Sequence, residues 1–148
     1  MRKILLPPIL LVLCIIGTYW LMKSGRATFW HSGEWNMAGY ALLLIGIALP
    51  LWGSRTFKRH KTNILPYKDP DTMVTDGPFK YTRNPMYLGM LTVLLGATVL
   101  SGTIEGLGFT ALYFAVANWW YIPYEESRMQ AVFGEKFEDY KDKVRRWV

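Results

Sequence analysis

The sequence has a single cysteine, Cys14, and only two histidines, His31 and His60, set far apart in the chain. One thiol cannot close an intramolecular disulfide. Two separated imidazoles without a thiolate cluster do not make a zinc or di-iron site, so no metal is expected. Charge is also missing, but locally. Residues 4–22, 36–54, 84–104 and 106–124 contain no Asp, Glu, Lys or Arg, and all 17 basic and 11 acidic residues of the 148 fall elsewhere. A bilayer core takes about 20 helical residues. The four stretches therefore predict an all-α integral membrane protein with spans at about 4–22, 36–53, 86–102 and 106–124, and they exclude an ordinary soluble domain. The rest is divided among two tails and three connections, none large enough for a core of its own, so residues 1–148 read as one membrane domain. The first stretch is expected to remain as a span, because its apolar run exceeds a signal-peptide core of about 7–15 residues.

The formal net charge of +6 would by sign alone suit nucleic acid. Its distribution suits a membrane instead. Arg2 and Lys3, seven basic residues in 55–83 and six after residue 124 fall on one set of alternate segments, while the other set holds only Lys23 and Arg26. The positive-inside rule then makes the protein multi-pass, with both termini and the 55–83 loop cytosolic and Glu105 outside. This brings the two sizeable polar segments to one side of the membrane, where they can form a joint site; no nucleic-acid partner is expected.

Along the chain, Pro7 and Pro8 occupy a first helical turn, where a missing N–H costs little, and Pro50 is expected to kink or open the end of the second span and free a carbonyl. Spans three and four are separated by so few residues that they read as a tight antiparallel hairpin. Trp119, Trp120, Tyr121 and Tyr124 fit an aromatic belt, with some of them lining a cofactor pocket as the alternative. Met129, Phe133, Phe137, Tyr140, Val144 and Trp147 recur at helical spacing among charged residues, predicting an amphipathic interfacial helix over 125–147 that covers the 55–83 loop. That loop, punctuated by Pro66, Pro70, Gly77 and Pro78, is long for so small a protein, and such loops are usually functional.

The common signatures of soluble nucleotide-binding and hydrolytic enzymes are missing. What stands out is the string Val74-Thr75-Asp76-Gly77-Pro78-Phe79-Lys80-Tyr81-Thr82-Arg83-Asn84-Pro85-Met86-Tyr87-Leu88-Gly89, followed later by Glu125-Glu126. Asn84-Pro85 reads as an N-cap and first helical residue. The free amides of that helix start, with Arg83 beside them, make an anion site; the same Arg83 also fits a snorkelling positive-inside residue. Glu125 and Glu126 leave the fourth span on the side of Arg83. Adjacent helical residues point about 100° apart, so at most one is expected to face inward, and a solvated pair opening the last helix is the alternative.

Together these residues resemble the superfamily of isoprenylcysteine carboxyl methyltransferases and phospholipid methyltransferases. The resemblance is carried by Val74 to Gly77, Phe79, Arg83 to Gly89, Glu125-Glu126, Phe133-Gly134, Phe137, Tyr140 and the basic end Val144-Arg145-Arg146-Trp147, and covers about residues 55–147. It implies an S-adenosyl-L-methionine-dependent methyltransferase, with cofactor contacts from Asp71, Thr72, Met73, Val74, Phe79, Asn84, Pro85, Met86, Tyr87 and Glu125, and with Arg83, Tyr87 and Glu126 as catalytic candidates. It further implies a membrane lipid or lipidic substrate. Two departures stand out. Asn84 replaces the histidine of the best-known eukaryotic members, removing a possible base, and the additional spans of those members are missing. A carboxylate acceptor needs no base at neutral pH, so isoprenylcysteine-type carboxyl O-methylation is the leading expectation. Phospholipid N-methylation, small-thiol S-methylation and a non-catalytic four-helix membrane protein are the alternatives.

Overall fold

The computed structural model describes residues 6–25, 33–62 and 72–148, and within these the chain is helical with no strands. Helix α1 is Pro7–Lys23, α2 is Gly33–Arg59, α3 is Pro85–Ser101, α4 is Gly106–Val116, α5 is Ile122–Phe133 and α6 is Glu135–Lys143. A 3₁₀ turn, Gly77–Lys80, precedes α3, and a π-helical turn, Ala117–Tyr121, joins α4 to α5. By length and composition together, one described helix, α2, is able to cross a membrane; α1 and α3 are apolar but 17 residues each.

Helix α3 is the centre of the bundle, with no exposed residue along its length. It packs on α2 through glycines. Gly39, Gly46 and Gly53 of α2 are all buried and seven residues apart. A Cβ on Gly46 would stand 2.6 Å from the Val93 amide nitrogen and 2.8 Å from the Gly89 carbonyl oxygen, and one on Gly96 would stand 2.9 Å from the Gly39 carbonyl oxygen. Backbones this close allow no side chain between them, which is how helices associate tightly where water cannot drive them together. On the other flank Gly17 of α1 receives the Phe109 ring, and Thr18 lies against Gly106. Thr98 of α3 donates to the Gly106 carbonyl at 3.2 Å, and Tyr113 of α4 donates to Met90 Sδ at 3.3 Å. Cys14, Tyr87, Leu94, Tyr113, Ala117, Tyr121 and Ile122 form the core between α1, α3 and the long helix through α4 and α5.

The outer faces are apolar. Ile9, Val12, Leu13 and Ile16 of α1, Leu44, Ile45, Ile47 and Leu51 of α2 and Leu112 of α4 all stand exposed. Trp119, Trp120 and Tyr124 are also exposed, whereas Tyr121 is buried and stacks on Tyr87. The aromatic cluster therefore divides: three rings turn outward and one turns inward.

Several sequence expectations are corrected. Pro50 does not end α2. The helix continues to Arg59, its last turn carrying Lys58 and Arg59 where the helix dipole favours cations, and the Pro50 ring fills the space left by Gly89. Having no amide, Pro50 still leaves the Gly46 carbonyl without its helical donor, and Pro123, just after the π-helical turn, likewise has none to offer Asn118. The helix over 125–147 is two helices. The apolar stripe continues through Gly134, but its φ of +52° breaks the chain there, and beyond Lys143 the backbone is extended at Val144. The stripe also divides, since Met129, Phe133, Phe137, Tyr140 and Val144 pack with Val74, Phe79, Phe57 and Met73, while Trp147 packs on Phe114, ring centroids 5.1 Å apart.

The glycine seam carries a prediction. Gly46→Leu is expected to destabilise the protein by about 3 kcal/mol, the upper range for overpacking, lowering the thermal midpoint in detergent. Gly108→Ala, which meets only open space, should leave the midpoint unchanged or slightly raise it.

Candidate active site

The polar segments 72–84 and 125–148 meet at one end of the bundle. The 3₁₀ turn is fixed there by Gly77, whose φ of +60° and contact with Thr56 and Trp52 of α2 leave no room for a side chain. His60 at the end of α2 bonds Asp76 at 2.8 Å. Phe79 is buried edge-on to Phe57, and its carbonyl accepts from the Tyr140 hydroxyl at 2.7 Å; burial pushes that hydroxyl's pKa up. Val74 is buried in the same cluster and Met73 packs against it, while Thr72 is exposed, its amide 3.4 Å from Thr62 Oγ1. Asp71 lies outside the described residues.

Arg83 is committed to the protein. Its Nη1 donates to the carbonyls of Lys141 at 3.1 Å and Val144 at 3.0 Å, and Nη2 donates to Glu126 Oε1 at 2.9 Å. Helix ends leave carbonyls without partners, and the Arg83 fork satisfies those of α6. These contacts engage both Nη atoms, while Nε is buried without a hydrogen-bond partner among the described residues. Glu126 receives a second guanidinium, Arg146, whose Nη2 lies 2.5 Å from Oε2 and Nε 3.3 Å from Oε1. The Arg83 and Glu126 side chains are only 12% and 16% exposed, so neither is a snorkelling or solvated group.

Glu125 is held separately. The Tyr87 hydroxyl, buried in the core, donates to Glu125 Oε1 at 2.7 Å. Burial raises the Glu125 pKa above the usual carboxylate range, with Tyr87 and Arg128 opposing and Glu126 adding to the rise. The expectation that at most one of the pair faces inward is thus corrected: both are engaged, because their divergent directions meet partners on different sides. Asn84 is the N-cap of α3 and Pro85 its first residue, but the Asn84 side chain makes no cap bond. Asn84 Nδ2 donates instead to the Arg146 carbonyl at 3.0 Å. This leaves the amides of Met86 and Tyr87 uncapped by it at the helix start. Pro85 is buried and Met86 half-buried beside Gly53.

The candidates therefore separate into three neighbouring groups: Val74 and Phe79 beneath α6, Arg83 with Glu126, and Asn84 to Tyr87 with Glu125. Sequence reasoning missed Arg146, Asn118 and Trp147 as parts of the arrangement. Arg146 stood in the matching basic end without a role, and Asn118 preceded Pro123 by five residues, the one signal that could have found it. Among the described residues, no group of three or more His, Cys, Asp or Glu is placed to hold a metal.

The phospholipid methyltransferase family model matches residues 35–136. The chain belongs to that family. It is 28% identical over 112 residues to a probable protein-S-isoprenylcysteine O-methyltransferase of Oryza sativa subsp. indica, covering 74% of this chain and 58% of that protein. It is 32% identical over 91 residues to the protein-S-isoprenylcysteine O-methyltransferase of Schizosaccharomyces pombe, covering 59% and 34%. An uncharacterized protein of Haemophilus influenzae matches at 38% over 64 residues, 43% of this chain and 100% of that protein. The chain thus spans under three fifths of the length of the rice relative. No solved structure matches.

Proposed function

We propose that this chain is an S-adenosyl-L-methionine-dependent methyltransferase held in a membrane by four spans, α3 and α4 forming a hairpin, with both termini cytosolic. It acts on a lipidic acceptor at the cytosolic face. The observation that carries the reading is the meeting, in a member of this family, of a half-buried carboxylate, Glu125, held by Tyr87, with a first turn of α3 that the Asn84 side chain does not cap. The exposed apolar faces of α1, α2 and α4 support the membrane placement, and the basic segments support its orientation.

The donor set suits the cofactor in part. Glu125 would take its ammonium or ribose hydroxyls, the Met86 and Tyr87 amides its carboxylate, and Met86 with the Tyr87 and Tyr121 rings its apolar surface. The Arg83 Nη1 and Nη2 groups are already engaged by Lys141, Val144 and Glu126, and its Nε is buried without a partner among the described residues, so the carboxylate is assigned to the helix start and not to Arg83. When bound, the cofactor supplies a sulfonium methyl group to an attacking oxygen or nitrogen. Tyr87 holds and orients Glu125. Arg83 and Glu126 fix the chain before α3 and are positioning residues in this account. Val74, Phe79, Phe137 and Tyr140 exclude water below the site.

Carboxyl O-methylation of an isoprenylcysteine-type acceptor is favoured by the names of the relatives that match over the largest share of this chain. Phospholipid N-methylation is the second reading, favoured by the phospholipid methyltransferase family model that matches residues 35–136. Purified protein with radiolabelled donor, offered a prenylated cysteine carboxylate or phosphatidylethanolamine, separates them. Label on the carboxylate, released by mild alkali, is expected; label on the amine favours the second, and label on neither acceptor contradicts both.

A further inference from the structure

Pro123 leaves a carbonyl without a helical partner, and the C-terminal tail is fastened around it. In an unbroken α-helix the Asn118 carbonyl would accept from the Ile122 amide, but that amide bonds Ala117. The next residue, Pro123, has no amide to offer. Arg146 Nη1 reaches the Asn118 carbonyl at 3.4 Å and Oδ1 at 3.5 Å, and Trp147 Nε1 donates to Asn118 Oδ1 at 3.0 Å. From the opposite side, the Arg83 amide donates to the Arg145 carbonyl at 3.0 Å. The Arg146 carbonyl accepts from Thr82 Oγ1 at 3.1 Å and Asn84 Nδ2 at 3.0 Å. The tail is therefore attached both to the chain that starts α3 and to the π-helical turn. Arg146 also grips both oxygens of Glu126, whose Oε1 is shared with Arg83.

We infer that residues 144–147 are a strap that completes the candidate site, and that Arg146 is a positioning residue setting Glu126, Arg83 and the Asn84–Tyr87 turn in the arrangement that takes the methyl donor. The inference rests on the methyltransferase reading. Without the Arg146 guanidinium, Glu126 can rotate away from Arg83. The bonds from Thr82 and Asn84 to the strap then lose their fixed acceptor, and the first turn of α3 is no longer held against Glu125. Lys136, exposed on α6, lies outside the strap.

The test is binding of S-adenosylhomocysteine to the full chain in detergent, by titration calorimetry. Arg146→Gln is expected to weaken binding about tenfold or more, Arg146→Lys to fall between that and wild type because it keeps the charge but not the fork, and Lys136→Gln to leave binding unchanged. Arg146→Gln combined with Glu126→Gln should lose no more than the worse single variant, since the two act as one unit. Asn118→Ala, which removes the side-chain acceptor of Arg146 and Trp147 while keeping the backbone carbonyl and every charge, should weaken binding about threefold and keeps the inference testable if Arg146→Gln does not fold. Wild-type affinity in Arg146→Gln or in Asn118→Ala, an equal loss in Lys136→Gln, or additive losses in the double variant would overturn the inference alone. A wild-type chain that does not bind the ligand would overturn the methyltransferase reading, and the inference with it.

Discussion

Arg83→Leu is expected to lower the thermal midpoint of the detergent-solubilised protein by about 10 °C. The substitution removes one of two cations from Glu126 and leaves the Lys141 and Val144 carbonyls without their donor. Breaking a mostly buried pair while its partner stays buried costs about 3–5 kcal/mol, and for a chain of this size each kcal/mol is worth about 2–4 °C. Arg83→Lys should fall between, because an ammonium keeps the charge but cannot fork to two carbonyls and a carboxylate together. Glu126→Gln should follow the same direction, leaving two guanidinium groups facing a neutral amide. A midpoint within 2 °C of wild type for Arg83→Leu, read by tryptophan fluorescence, would show that the contacts of Arg83 with Glu126, Lys141 and Val144 hold nothing.

Glu125→Gln should do the opposite: little harm to the fold and a large loss of donor affinity. Burial raises the Glu125 pKa, so the folded state binds its proton more tightly than the unfolded chain does. Folded stability is then highest below the unfolded carboxylate pKa and falls as pH rises from there through the raised value, because the unfolded state gives up the proton first. Glutamine keeps an acceptor for Tyr87 and removes that loss, so the variant should be as stable as wild type or more stable at neutral pH, and its midpoint should respond less to pH. Donor affinity should meanwhile fall more than tenfold, or about 1.4 kcal/mol, as expected for losing a charge-assisted hydrogen bond. The pairing of Glu125→Gln, stable and weak-binding, with Glu126→Gln, destabilised, distinguishes the two adjacent carboxylates. Unfolding curves from about pH 4 to pH 8 for both variants check it.

The helices were legible in the sequence where composition alone decides them. Uncharged runs marked all the apolar helices, and Asn84-Pro85 marked the start of α3 to the residue. The Gly39, Gly46, Gly53 series was equally readable, at one step per two turns, but its meaning depends on the facing glycines of α3, which no local pattern supplies. Residues 125–147 misled because the apolar stripe keeps helical spacing across Gly134, while a left-handed backbone at that one residue decides the break. The identities of the candidate residues were legible through the family pattern; the partners of Arg83 were not. It bonds carbonyls some sixty positions away, and a carbonyl carries no side-chain signature. The same reason hid Asn118, whose importance comes from an amide that Pro123 lacks.

Titration of S-adenosylhomocysteine into the purified wild-type chain and Glu125→Gln, side by side in detergent, tests the central claim most directly. Saturable one-to-one binding to wild type, weakened more than tenfold in a Glu125→Gln variant that unfolds no earlier, is the expected result. No binding to a folded wild-type chain, or equal affinity in the two, would contradict it.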